Sequence, residues 1–370
     1  MAKYKLDDLC EFITDGTHQT PEYCEEGGVI FLSSKDVTER KINWDDVKHI
    51  PDSLHEKLYK RLRPQKNDIL LAKNGTTGVA AIVDRDEIFD IYVSLAVLRP
   101  IKSIYPKYLL YAINSPVAKR QFDAGLKGIG VPNLHLGVIR ETVINVAERE
   151  EQELICETLD KVAGIIDKRK AELNALDDLI KARFVEMFGD VIHNSKKWQV
   201  CLFAEITSSR LGKMLDAKQQ TGRNSYPYLA NFNVQWFRFN LENLNKMDFD
   251  EKDRAEFELR EGDLLVCEGG EIGRCAVWHN ELQPCFFQKA LHRVRCNHQI
   301  ILPDYLAWWF RYNCDYGGFS ALAGAKATIA HLPGAKLKQL QVAVPPMELQ
   351  EQFAVFVAQT DKSKVAVRKY

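Results

Sequence analysis

The chain has 370 residues, of which 46 % are hydrophobic and 27 % charged; this balance is typical of folded proteins, and the length allows two domains. Its net charge of −1 gives no overall attraction to nucleic acid, although segregated charge or partner subunits can supply the positive groups that phosphates require. No apolar run reaches the roughly 18 residues of a membrane span. The polar N-terminus is unlike a secretory signal, and the nine cysteines lack CxxC pairs, so we expect a cytoplasmic protein with reduced thiols.

A duplication runs through the whole sequence. The segment from Asp68 to Gly78 aligns without a gap with the segment from Asp263 to Gly273, 195 positions later. Further on, His135 aligns with His331, and Glu151-Gln152 aligns with Glu351-Gln352 at an offset of 200. A period near 200 residues indicates a duplicated domain rather than a solenoid.

Each copy is predicted to begin with short β-rich segments. Two apolar strands follow, separated by a glycine-rich turn whose glycines fit positive φ angles. A helix is expected near Pro106, and another at Ser115-Pro116, with serine as the N-cap and proline as the first helical residue. The predicted strands are 68–72 and 79–83 in the first copy and 263–267 and 274–278 in the second, where Pro303 to Tyr312 is the matching helix.

A long helix without proline is predicted from about Glu148 to Phe188. Apolar residues three and four apart form one seam, interrupted by Arg169 and Arg183, which indicates a coiled coil about 60 Å long. Packing within a single globular core is the alternative. A second, shorter helix begins near Met347. The seam residues are Ile155, Leu159, Val162, Ile166, Leu173, Leu176, Ile180 and Met187, and in the second helix Leu349, Phe353 and Phe356.

Two motifs frame these helices. The first helix ends in the sequence LIKARFVEMFGD at residues 179–190, and the second is introduced by VPPMELQEQ at residues 344–352. On the basis of these motifs and the repeat, the whole chain resembles the specificity subunit of type I restriction–modification enzymes. The start of the first helix differs from this motif, because the segment from Val146 to Gln152 has no counterparts of Pro345 and Pro346.

The resemblance implies an α+β fold with two target recognition domains, separated by long helices that form an antiparallel coiled coil. The implied boundaries are 1–147 and 191–345 for the recognition domains, and 148–190 and 346–370 for the spacer helices. Each domain would read one half of a split, asymmetric site in double-stranded DNA. The helices would set the spacing and dock two methyltransferase subunits, which restriction subunits join. S-adenosylmethionine, ATP and Mg²⁺ would belong to those partners, so no cofactor is expected here.

No catalytic motif is recognisable in the sequence. The Asn/Asp-Pro-Pro-Tyr motif of adenine methyltransferases and the G-x-x-x-x-G-K-[ST] phosphate loop do not occur. Gly75 to Gly78 is interpreted as a tight turn rather than a phosphate cradle, and the spacing of Cys267, Cys275, Cys285 and Cys296 does not fit structural zinc. We therefore expect a non-catalytic protein. Two alternatives stay open: one part of a fused restriction–methylation enzyme, and a truncated specificity protein that dimerises or blocks assembly.

Candidate DNA contacts are polar residues in predicted loops, because their side chains can pair with base edges or phosphates. For each single candidate the alternative is a solvated polar group in a loop, and for His135 and His331 a scaffold role is a further alternative. In the first copy the candidates are Thr17, His18, Gln19, Ser33, Ser34, Lys35, Lys73, Asn74, Thr76, Thr77, Lys127, Asn133 and His135. In the second copy they are Arg210, Lys213, Gln219, Arg223, Asn231, Asn233, Glu268, Arg274, Lys326, Thr328 and His331.

Overall fold

The computed structural model describes residues 1–126, 132–216, 220–320 and 331–369. The chain divides into two compact units, residues 1–167 and 168–370. Within the described part of the chain, no helix is long and apolar enough to cross a membrane.

As far as its residues are described, the first unit combines short strands with five α-helices, of which α1 precedes β7 and the other four follow β10, the last strand of the main sheet. Its helix α5 begins in this unit and continues into the second. The elements are β1 (Ala2–Lys5), β2 (Cys10–Asp15), β3 (Val29–Leu32), β4 (Val37–Thr38), β5 (Lys41–Ile42), β6 (Lys48–Ile50), α1 (Asp52–Arg61), β7 (Ile69–Ala72), β8 (Ala80–Ile82), β9 (Phe89–Ile91), β10 (Leu95–Pro100), α2 (Pro106–Ile113), α3 (Pro116–Gly125), α4 (Leu136–Glu141), β11 (Val143–Val146) and α5 (Arg149–Phe188).

The second unit repeats this order of strands. Its elements are β12 (Gln199–Leu202), α6 (Phe203–Ile206), β13 (Thr207–Leu211), β14 (Ser225–Leu229), β15 (Val234–Gln235), β16 (Arg238–Phe239), β17 (Asn245–Asp248), α7 (Glu251–Phe257), β18 (Leu264–Cys267), β19 (Cys275–Val277), β20 (Phe286–Phe287), β21 (Leu291–Cys296), α8 (Pro303–Asp315), α9 (Gly334–Lys338), β22 (Gln341–Val344) and α10 (Met347–Lys369).

The sheets of the two units correspond strand by strand. The four-stranded sheets have the orders β2-β10-β7-β8 and β13-β21-β18-β19, and the three-stranded sheets have the orders β6-β3-β9 and β17-β14-β20. The parallel pairs, β3 with β9 and β14 with β20, also correspond. The duplication predicted from the sequence is therefore a duplication of topology.

Each four-stranded sheet is buried on both faces. In β7, Ile69 and Leu71 contribute to one hydrophobic core, whereas Leu70 and Ala72 contribute to another. Successive side chains of a strand point to opposite faces, so a strand between two cores must be apolar throughout. This explains the continuous apolar run after Asp68, and β18 divides its residues between two cores in the same way.

The repeated aspartates before these strands are buried partners of arginine. Arg99 on β10 donates from Nε and Nη2 to the two carboxylate oxygens of Asp68, both at 2.8 Å. In the second unit, Arg295 makes the same fork to Asp263 at 2.7 and 3.2 Å. Bidentate pairs of this kind are stronger than single neutral hydrogen bonds and fix the geometry. The hydrogen bonds to Asp68 raise the pKa of Arg99, against the effect of its burial.

The turns after β7 and β18 contain the predicted glycines. Gly75 and Gly78 have φ angles of +73° and +81°, and Gly270 and Gly273 have φ angles of +80° and +79°. A Cβ atom at Gly273 would lie 3.0 Å from the Phe319 ring. The prediction of positive φ at these turns is confirmed, and a larger residue there would be strained.

A buried glutamine joins each long helix to its unit. The Gln152 side chain accepts from the Tyr105 backbone N–H at 2.8 Å and donates to the Ala147 carbonyl at 2.9 Å. Gln350 accepts from the Leu302 N–H at 2.8 Å and donates to the Pro345 carbonyl at 2.8 Å. We call these two arrangements the glutamine clasps. The structural partner of Gln152 is thus Gln350 and not Gln352, so the pairing taken from the sequence was wrong by two positions.

Within the second unit, the C-terminal part of α5 packs against α10. The ring of Phe353 lies 5.5 Å from that of Phe184 and 5.4 Å from that of Phe188, measured between centroids. Farther from these rings, Lys364 Nζ lies 2.6 Å from an Asp177 carboxylate oxygen. As the chain advances along α10, its contacts move back along α5, so the two segments run in opposite directions. Ile180 and Met187 of the predicted seam are buried here.

The part of α5 within the first unit is partly uncovered. Cys156 is buried in the core and Asp160 accepts from the Tyr111 hydroxyl at 2.6 Å. In contrast, the seam residues Leu159, Val162 and Ile166 are 37 %, 48 % and 49 % exposed in this chain. An apolar row therefore lies at the surface of this segment.

The glutamine clasps should contribute measurably to stability. We expect Gln350→Ala to lower the free energy of unfolding by about 2–4 kcal/mol, because it leaves buried backbone groups without hydrogen-bond partners. Five of the six tryptophans follow residue 167, so urea unfolding monitored by tryptophan fluorescence reports mainly on the second unit. The exposed Gln352 is the control, and Gln352→Ala should change stability by less than about 0.5 kcal/mol. Equal effects of the two substitutions would rule out the clasp.

Candidate nucleic-acid interface

A short backbone frame follows β7 in the first unit. The Lys73 N–H donates to the Ser94 carbonyl at 2.8 Å, and the Leu134 N–H donates to the Lys73 carbonyl at 2.9 Å. Between these bonds, Asn74 and Asn133 form an antiparallel β-bridge. Two chain segments about 60 residues apart are thereby held side by side at the end of the sheet.

Several predicted DNA contacts meet at this frame. They surround an open cleft of about 500 Å³, which we call the first-unit cleft. Five of the predicted residues line it, together with residues that sequence reasoning did not select. The lining consists of Asp15, His18, Lys73, Asn74, Val93, Asn133, His135, Leu136 and Gly137.

Lys73 is a scaffold residue rather than an exposed phosphate contact. Its ammonium group forms a short ion pair with Asp15, and only 6 % of the Lys73 side chain is exposed. The same aspartate lies 3.3 Å from His18 Nε2. Lys73 was predicted as one of the candidates for base or phosphate contacts, but its charge is buried and paired, and it would have to lose this partner to contact DNA.

The other candidates of the first unit lie in different environments. Thr17 and Asn74 are half-buried, Thr77 is buried, and Ser33 donates from its hydroxyl to Asp36 at 3.0 Å. Ser34 is half-buried, and its backbone N–H donates to the Ser94 hydroxyl at 3.0 Å. Burial leaves Thr77 unsuited to base contact. His18, Gln19, Lys35, Thr76 and His135 are exposed, and Lys127 lies outside the described residues.

The second unit has the same backbone frame. The Glu268 N–H donates to the Ala290 carbonyl at 2.9 Å, the Leu332 N–H donates to the Glu268 carbonyl at 2.7 Å, and Gly269 forms the bridge with His331. His331 therefore corresponds to Asn133. The equivalence of His135 and His331 taken from the sequence was wrong, since His135 caps α4 where Pro333 caps α9.

Other candidates of the second unit are engaged in internal contacts. Lys213 Nζ lies 2.5 Å from Asp253, and Arg210 pairs with Glu256. The Arg274 guanidinium donates to the Asn231 carbonyl at 2.9 Å. Asn233 is buried and holds the Ala230 N–H and the Asn240 carbonyl, so its predicted DNA contact is corrected to a scaffold role. Arg223 is exposed, whereas Gln219, Lys326 and Thr328 lie outside the described residues.

Sequence reasoning missed a basic cleft in the second unit. The hairpin tip Trp236-Phe237 leans on α8, where the Phe237 and Trp308 rings stack at 4.2 Å. The cleft beside it encloses about 570 Å³ and includes Arg238 and Arg368 in its lining. In the sequence, this tip was indicated by the adjacent aromatic residues Trp236 and Phe237, which lie between two short segments containing a β-branched or a basic residue.

The protein thus consists of two units that share one topology and one backbone frame. The family model of the type I restriction modification DNA specificity domain matches residues 1–176 and 195–369. The chain therefore belongs to the family of type I restriction–modification specificity proteins.

Two relatives are also specificity subunits, and one solved structure has a similar fold. The chain is 19 % identical over 369 residues to the type I restriction enzyme EcoKI specificity subunit of Escherichia coli (strain K12), covering 95 % of this chain and 79 % of that protein. It is 25 % identical over 179 residues to the MjaVIII specificity subunit of Methanocaldococcus jannaschii, covering 47 % of this chain and 42 % of that protein. The fold resembles the S subunit of a type I restriction–modification system from M. genitalium, with a TM-score of 0.56, 14 % identity, and coverage of 100 % of this chain and 91 % of that chain.

The scaffold role of Lys73 can be tested by substitution. Lys73→Met leaves the Asp15 carboxylate buried without its partner, so we expect a loss of about 3–5 kcal/mol in the free energy of unfolding. Adding Asp15→Asn should recover part of this loss. Thermal unfolding followed by circular dichroism measures both changes, with the exposed Lys35→Met as control. A Lys73→Met protein of unchanged stability but weaker DNA binding would contradict the assignment.

Proposed function

We propose that this chain is the DNA-recognition subunit of a type I restriction–modification complex, and that each unit reads one half of a bipartite, asymmetric site in double-stranded DNA. The observation that carries the proposal is the frame repeated in both units: identical backbone bonds hold Asn74 and Asn133 in one unit and Gly269 and His331 in the other. An asymmetric site requires two recognition units that differ in the side chains they present to the bases, and here such side chains are held by the same backbone arrangement.

The proposal assigns no chemistry to this chain. S-adenosylmethionine, ATP and Mg²⁺ are used by methyltransferase and restriction subunits, which assemble with it in the cytoplasm. Helices α5 and α10 form an antiparallel coiled coil that fixes the distance between the half-sites. The 40 residues of α5 give a rod of about 60 Å, long enough to separate two half-sites by several base pairs.

Exchange of one unit tests independent reading. We expect replacement of residues 1–145 by the matching segment of a related specificity subunit to change one half of the methylated site and leave the other half unchanged. The boundary lies before α5, so the glutamine clasps keep their helix residues. Mapping methylated sites in a host with the cognate methyltransferase subunits gives the result. A change in both halves would contradict separate readers.

We assign methyltransferase docking to the apolar row on α5. Leu159, Val162 and Ile166 lie on one side of the helix, and each is more than one third exposed. Large apolar side chains grouped on an otherwise polar helix indicate a surface for a partner protein. Because they are exposed, they can be exchanged without opening the core of either unit.

Charge on this row should prevent assembly without unfolding the chain. We expect Val162→Asp with Ile166→Asp to weaken binding of the methyltransferase subunit at least tenfold, since both carboxylates would lose water in the complex. Ala171→Asp with Ala175→Asp is the matched control, because these exposed alanines lie about 180° around the same helix. Size-exclusion chromatography and titration calorimetry measure the complex. Equal binding by both double variants would remove the row from the interface.

A further inference from the structure

The two frames are equivalent in backbone but not in side chains. Lys73 corresponds to Glu268, Asn74 to Gly269, and Asn133 to His331, because each pair occupies the same place in the same hydrogen-bond pattern. By contrast, the Asp–Arg forks and the glutamine clasps have the same side chains in both units. Lys73 still has a structural role through its ion pair with Asp15. The bridge residues Asn74, Asn133, Gly269 and His331 are held by their backbone, so they can differ between the units without loss of the frame.

The side chains of the bridge residues have unused hydrogen-bonding capacity. Among the described residues, none donates to or accepts from the side chains of Asn74, Asn133 or His331, and Asn133 Oδ1 is a buried acceptor without a partner. Asn114 differs, since its amide holds Ala80 and Leu110 through three bonds. A buried polar atom without a partner is unfavourable. Because Asn133 lines the first-unit cleft, rotation of its amide towards the cleft would let an external donor satisfy this oxygen.

The bridge also brings the two side chains of each pair together. Residues directly opposite each other in an antiparallel bridge have Cβ atoms about 4.5–5.5 Å apart. In the first unit this places two amides side by side at the cleft. In the second unit a Cβ atom at Gly269 would lie only 3.2 Å from the His331 ring. Glycine therefore leaves room there for one imidazole in place of two amides.

We propose that the bridge pair determines base specificity in each unit, with Asn74 and Asn133 reading an adenine and His331 reading a guanine. An asparagine amide matches the N6 donor and N7 acceptor of adenine in the major groove, and guanine presents the acceptors N7 and O6 to a ring N–H. The inference rests on the proposed function, because it names the residues through which each unit reads its half-site.

Exchanging the pairs tests the inference in the full chain, expressed with its cognate methyltransferase subunits. Asn74→Gly with Asn133→His transfers the second unit's pair into the first unit. We expect one position of one half-site to change from adenine towards guanine, with the other half unchanged. Asn133→Ser should relax that same position, with discrimination reduced about 10- to 100-fold. Glu87→Ala, at an exposed position of the same unit, should methylate the wild-type site.

Methylated-site mapping separates the outcomes. An unchanged site in both variants would overturn the specificity role of the pair and leave the proposed function intact. A change in both half-sites, or complete loss of methylation by variants with wild-type thermal unfolding, would also overturn it, since either result places these residues outside local base reading. If the wild-type protein directed no sequence-specific methylation at all, the proposed function itself would fail.

Discussion

One buried glutamine joins the start of each long helix to its unit. Gln152 is 1 % exposed and Gln350 is fully buried. Each amide connects the residue before a helix in its unit, Tyr105 or Leu302, with the residue that follows the last strand, Ala147 or Pro345. A glutamine amide has one acceptor oxygen and two N–H donors. In the second unit Gln350 uses the oxygen and donates twice, because it also donates to the Ile300 carbonyl at 3.0 Å. The first turn of the helix therefore has one orientation relative to its sheet.

The features predicted correctly from the sequence are those with a local cause. The turn glycines have positive φ, and Ser115 caps α3, accepting from the Ala118 N–H at 3.3 Å. The long helix was recognisable from the absence of proline and its apolar spacing. Phe184 was missed because the heptad placed Arg183 on the seam, whereas the structure buries Phe184 and leaves Arg183 at its edge, 5.8 Å from the Phe356 ring.

The errors in the repeat arise where segments of different length intervene. Matching histidine with histidine paired His135 with His331, and matching Glu-Gln with Glu-Gln paired Gln152 with Gln352. The hydrogen-bond patterns make Asn133 equivalent to His331, and Gln152 equivalent to Gln350; each pair is 198 positions apart. Identity of residue type is a poor guide after such segments, because the hydrogen-bond pattern rather than the residue type shows which positions are equivalent.

The candidate contacts were chosen by side-chain chemistry, which does not reveal whether a polar group is already engaged. Lys73 pairs with Asp15, 58 positions away. The Asn233 amide forms hydrogen bonds with two backbone groups. Neither partnership leaves a pattern in the sequence. The same contacts explain how the two units can differ in their surface side chains and still share one fold. Backbone bonds hold the frame, and Asp–Arg forks and glutamine clasps hold the sheet and helix around it. A change at Asn133 or His331 therefore alters the polar surface of its unit while the bonds that maintain the fold remain in place.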